Sequence, residues 1–213
     1  MNLKIYKLTL YVSTIILVSL TALSIVLNIW SECNQWIVFV VNWCVGIACS
    51  IAVVVITTFI QFKVEQGKII NEIASAVRTM LFHNDLYGGI FVNDVERNAD
   101  TVKELNKFEA KWRNAFKEDV NQLRSLQTEL DFLFKKKQNW NLLRSILTLR
   151  IAQFDNSGED YEKEAESLKK EFLQVKGKII DLAEIIISFK INKYTKEEIE
   201  KYICEYKKVI SNC

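Results

Sequence analysis

The sequence predicts an all-α membrane protein: an N-terminal two-helix transmembrane hairpin over residues 1–62, then a cytoplasmic helical bundle or coiled coil over 63–213. Three observations lead there. No residue from Leu8 to Trp30 carries a charge, and none from Cys33 to Phe62. The 213 residues include no proline and only 6 glycines, too few for a turn-rich β-sandwich or a Pro/Gly-rich linker protein. The polar remainder repeats apolar residues at helical spacing, in one stretch by strict steps of four and three.

Both charge-free runs exceed the roughly 20 residues that cross a bilayer core as a helix. Stretches such as Ile15-Ile16-Leu17-Val18 and Ile51-Ala52-Val53-Val54-Val55-Ile56 favour lipid by a few tenths of a kcal/mol per residue. The spans are expected at about 8–30 and 36–62. A cleaved signal peptide competes for the first run, since Lys4 and Lys7 resemble a basic leader. Its apolar stretch is too long, no small-x-small site follows, and a second span comes directly after. Lys4 and Lys7 precede the first span, Lys63 and Lys68 follow the second, and the connector Ser31-Glu32-Cys33-Asn34-Gln35 has no basic residue. Basic residues resist translocation, so both termini are expected on the cytoplasmic side of the inner membrane. Trp30 and Trp36 at one end, Tyr6 and Tyr11 at the other, suit the headgroup level.

Polar residues inside the spans are mild, among them Ser13, Ser24, Asn28, Asn42, Thr57 and Thr58. The absence of ionisable groups argues against a proton relay, an ion-coupled carrier or a voltage sensor. Gly46 with Ser50, and Ala48 with Ala52, form overlapping small-xxx-small pairs that let a second helix approach closely, and Asn42 can hydrogen-bond across such a contact. Asn42, Gly46 and Ser50 are therefore the candidate helix-packing residues, either against the first span or between copies in a homo-oligomer.

All but two of the 28 basic residues and all but one of the 26 acidic ones follow Phe62, and the net charge of +2 gives no footprint for nucleic acid. Ile69, Ile70, Ile73, Val77, Met80 and Leu81 recur at helical spacing, which extends the second span as a rod through about Leu81. His83 to Asp94 reads as a break, because Gly88-Gly89 among Asn and Asp is turn chemistry. It holds the only histidine, but one His beside Asp85, without further ligands, makes neither a metal site nor a catalytic pair.

From about Val95 the helical pattern resumes with Val102, Leu105, Trp112, Phe116, Val120, Leu123, Leu130 and Leu133 near one face. Lys135-Lys136-Lys137 interrupts it as a solvated face, and Trp140 to Phe154 continue it. Asp155 to Asp160 is a second turn. Next comes the strongest periodicity, Tyr161, Ala165, Leu168, Phe172, Val175, Ile179, Leu182, Ile186 and Phe189, a coiled-coil seam suited to a mixed antiparallel bundle. Thr195-Lys196-Glu197-Glu198 matches a capping box that starts a last helix, with Ile199, Tyr202, Ile203 and Tyr206 inward.

The five cysteines lack a C-x-x-C spacing and read as structural thiols, with a Cys33 disulfide between protomers as the exception. Phosphate-cradling glycine loops, nucleophile elbows and zinc-helix motifs do not occur. No catalytic residue, metal ligand or cofactor is therefore expected, and no enzyme. The hairpin from Leu8 to Phe62, followed by the helical stretch from Lys63 to Cys213, resembles the small membrane effectors of bacterial anti-phage systems, such as SLATT-type and abortive-infection proteins. That resemblance implies an antiviral defence effector that self-associates in the inner membrane and permeabilises it. A membrane tether whose helical part docks a soluble cytoplasmic protein is the other expectation.

Overall fold

A computed structural model describes residues 3–30, 35–90, 102–126, 141–142, 144–146 and 161–211, and among them the only regular element is the α-helix. In chain order these are α1 (Leu3–Ile29), α2 (Gln35–Ile90), α3 (Val102–Ser125), α4 (Tyr161–Ile187) and α5 (Lys193–Ser211). Residues Met1–Lys68 form one compact unit and Ile69–Cys213 a second. α2 contributes to both.

α1 and the first part of α2 are each long and apolar enough to cross a membrane. Their less exposed positions follow strict heptad steps: Tyr6, Leu10, Ser13, Leu17, Leu20, Ser24 and Leu27 on α1, and Ile37, Val41, Cys44, Ala48, Ile51, Val55 and Thr58 on α2. Steps of four and three keep one stripe of a helix turned toward its neighbour, as in knobs-into-holes packing. The late residues of α1 and the early residues of α2 line a shared groove of about 500 Å³, with Leu17, Thr21 and Ser24 across from Val41, Val45 and Ala48. Outside the stripe, large apolar side chains such as Leu8, Tyr11, Val18, Phe39 and Val53 are exposed.

The second unit is built the opposite way. Ile73, Ala74, Val77, Met80 and Leu81 of α2 join Phe108, Trp112, Phe116, Val120 and Leu123 of α3 in one buried cluster with residues of α4 and α5 and with Ile146. Trp112 is 1% exposed and stacks on Phe172 with ring centroids 3.8 Å apart. Val95 to Thr101, Leu130 and Leu133, the Lys135 to Lys137 run and the turn at Asp155 to Asp160 lie outside the described residues, as do Cys33 and Cys213.

Two sequence expectations are corrected. The rod does not stop at Leu81: α2 stays helical through Ile90, so the turn expected from His83 onward is helix for its first eight residues. Tertiary contacts of His83, Asp85 and Tyr87 override the local turn preference. The start of the last helix also moves. α5 begins at Lys193, and its cap is Asn192, whose Oδ1 accepts the Tyr194 N–H at 2.9 Å. Glu198 does not close a capping box because its carboxylate accepts a bond from Arg78 of α2 at 2.9 Å. The chain reverses between α4 and α5 through i→i−3 bonds from Ser188 and Phe189 to Ile185 and Ile186. α5 then lies so close to α4 that a Cβ at Gly177 would come 2.7 Å from the Tyr206 hydroxyl, which makes glycine the residue that admits this contact.

Candidate functional site

In the first unit the two small-residue pairs point in different directions. At about 100° per residue, Gly46 and Ala48 are roughly 200° apart around α2. Ala48 and Ala52 line the groove shared with α1. Asn42, Gly46 and Ser50 line an open groove of about 350 Å³ formed by α2 alone, with Trp43, Ile47 and Val54. A Cβ at Gly46 would meet nothing within 4 Å, so nothing among the described residues requires glycine there.

The hydroxyls on this open face are satisfied locally. Ser50 Oγ donates to the Gly46 carbonyl at 3.0 Å, and Thr57 Oγ1, on the same side, donates to the Val53 carbonyl at 2.8 Å. Such back-bonds let Ser and Thr sit on an apolar helix without another partner. Asn42 differs. Its carboxamide is exposed and makes no hydrogen bond within the described residues, although its two donors and one acceptor all seek partners. It stands within about 9 Å, along the helix axis, of the midpoint of the charge-free run.

In the second unit Leu168, Phe172, Val175, Ile179, Leu182 and Ile186 of the seam are buried in the common cluster and Phe189 packs against it, while the side chains of Tyr161 and Ala165 lie outside the described residues. Ile180 and Ala183 are buried beside them, so α4 is covered on more than one stripe. Three polar pairs tie the end of α2 to α3, α4 and α5. Arg78 donates to Glu198 of α5, Lys176 of α4 donates to Asp85, and His83 Nδ1 lies 2.9 and 3.2 Å from the two carboxylate oxygens of Asp119 on α3. His83 and Asp85 therefore engage different helices and form no acid/base pair with each other. Burial pushes the Asp119 carboxyl above its ordinary range, against the His83 hydrogen bond that pulls it down. Burial likewise raises the phenols of Tyr202 and Tyr206. The half-buried Glu198 is held below the usual carboxylate range by hydrogen bonds from Tyr194 and Arg78. Among the described residues, no three His, Cys, Asp or Glu side chains gather as a metal site, and Cys44, Cys49 and Cys204 are free thiols.

Sequence reasoning did not find the heptad stripe between α1 and α2, because hydrophobicity is uniform around both helices. The available signal was size and polarity: Ser13, Ser24, Ala48 and Thr58 all fall on it. It also missed Asp119 and Lys176, whose partners lie 36 and 91 residues away in the chain. Comparison with known protein families, with curated proteins and with solved structures gives no match.

Proposed function

We propose that this chain is a two-span protein of the bacterial inner membrane, with both termini cytoplasmic, that self-associates through the Asn42, Gly46 and Ser50 face and permeabilises the bilayer. The observation that carries this reading is the open α2 face turned away from α1. Among the described residues, it holds a glycine whose Cβ position is open and a carboxamide with no hydrogen-bond partner, and an unpaired carboxamide surrounded by hydrocarbon is destabilising by about 1–3 kcal/mol. A second copy supplies both the close approach and the hydrogen bond. One hairpin cannot enclose a water path, so permeation needs several protomers, and α2 is a continuous helix from the span into the buried cluster of the second unit. Membrane disruption in anti-phage defence is the action that the resemblance to small two-span effectors implies.

The test is Gly46→Leu. The side chain enters open space, so the fold of one protomer should persist, while close approach of a second α2 is blocked. Crosslinking and sedimentation in detergent should show loss of the oligomer, and cells induced for the variant should keep the membrane potential that the wild-type chain collapses. Unchanged association would remove the assigned face. Intact potential in cells filled with inserted wild-type protein would remove permeabilisation. Activity that survives exchange of the hairpin for an unrelated two-span anchor would instead assign the chain to the tethers that dock a soluble protein.

A further inference from the structure

We infer that the last two turns of α2, residues 82–90, are a conformational latch, helical only while docked on α3 and α4, which unwinds as a unit and releases α3 before the rest of the second unit opens. The segment is a poor helix by composition. Phe82, His83, Asn84, Asp85 and Tyr87 rank low in helix propensity, and each of Gly88 and Gly89 weakens a helix about five-fold relative to alanine. Packing does not call for glycine at 88, where a Cβ would meet nothing within 4 Å. The last turn has no basic residue to meet the unpaired terminal carbonyls. Phe82 and Leu86 are exposed and so add little burial, and the buried Asn84 Oδ1 has no hydrogen-bond partner among the described residues, an unmade bond that the docked state carries.

Docking is what opposes these defects. Asp85 accepts a bond from Lys176 of α4, His83 lies against Asp119 of α3, and the Tyr87 ring sits edge-on to Phe108 of α3 with centroids 5.9 Å apart. Two of the three contacts reach α3, so unwinding removes both together. The preceding turns have another basis, since Ile73, Ala74, Ala76, Val77, Met80 and Leu81 are all buried. The boundary between the two kinds of helix falls between Leu81 and Phe82. A ligand or partner that prefers released α3 shifts the latch open by its differential affinity alone.

None of this depends on membrane insertion, so its test is separate from that of the proposed function. Amide hydrogen exchange on the full chain in detergent micelles should show residues 82–90 much less protected than 70–81. Gly88→Ala, which fills open space, should raise protection of 82–90 about five-fold and leave 70–81 unchanged. Tyr87→Ala should lower protection of 82–90 and of the α3 segment around Phe108 together. Equal protection of the two parts of α2, or an alanine effect spread evenly over both, would overturn the latch. Protection around Phe108 that does not follow 82–90 would overturn the release of α3.

Discussion

α2 runs through two environments with opposite rules. In the first unit many large apolar side chains, Val18, Phe39, Trp43 and Val53 among them, are exposed, while the buried positions are Leu3, Ser24 and Thr58. In the second unit Leu, Ile, Phe and Trp fill the interior, and most lysines and glutamates face outward, the buried Glu109 paired with Arg113 excepted. The same secondary structure is thus turned inside out. Water-driven burial explains the second arrangement, at about 25 cal/mol per Å² of apolar surface removed. It does not account for the first, where the apolar surface is left exposed, as the proposed insertion into lipid requires.

The largest expected effect sharpens this contrast. Trp112→Ala removes a fully buried ring stacked on Phe172 and should lower stability by about 3–5 kcal/mol, read from urea unfolding in detergent. Val18→Ala truncates an exposed side chain of α1 and should stay within about 0.5 kcal/mol. Comparable losses for the two would mean that the first unit also has a water-excluding core, and the comparison would break.

The second effect reverses the ranking of the units. Ile15→Lys places a charge on the exposed side of α1, near its middle, and on the proposed insertion should disfavour membrane integration by about 2.5–3.5 kcal/mol, measurable with a glycosylation-tag assay. The same exchange at the exposed Leu173 of α4 should change stability by no more than about 0.5 kcal/mol. Normal integration of the Ile15 variant would mean that this side of α1 does not face hydrocarbon and would remove the basis of the contrast.

The two regions also differ in how much their residues disclosed in advance. The α4 seam was readable because its apolar residues alternate with charged ones, so Leu168 through Ile186 stand out by period alone. In α1 and the first part of α2 apolar residues fall on every face, and the period survives only in where Ser, Ala and Thr fall. The end of α2 misled because the turn preference of Gly88-Gly89 is local, whereas Lys176, Asp119 and Phe108, which hold it helical, are distant in the chain. The cap of α5 was misplaced for a similar reason. Thr195 and Glu198 have the spacing of a capping box, but Arg78 takes the glutamate and Asn192 provides the cap.

The smallest effect concerns the one buried carboxylate that contacts the histidine. A carboxyl whose folded value lies above its ordinary 3.8 holds a proton in the folded chain that the unfolded chain has already released. Across the window from 3.8 up to the raised value the folded state binds more protons, so this group's contribution to stability falls as pH rises, by at most about 1.4 kcal/mol per pH unit for one proton. Glu65 and Glu198, both held below the ordinary range, act in the other sense and lose their contribution as pH falls. Only the difference between wild type and Asp119→Asn isolates the buried group. The wild-type unfolding midpoint should drop relative to the variant's on going from pH 4 upward, and then run parallel above the window. Curves parallel throughout would mean that Asp119 exchanges its proton as freely as a surface carboxylate. The α1–α2 stripe contains no carboxyl, lysine or histidine, and substitutions confined to it should leave this pH difference unchanged. That places the Asp119 contribution in the second unit, where burial in water-excluding packing is the physical rule.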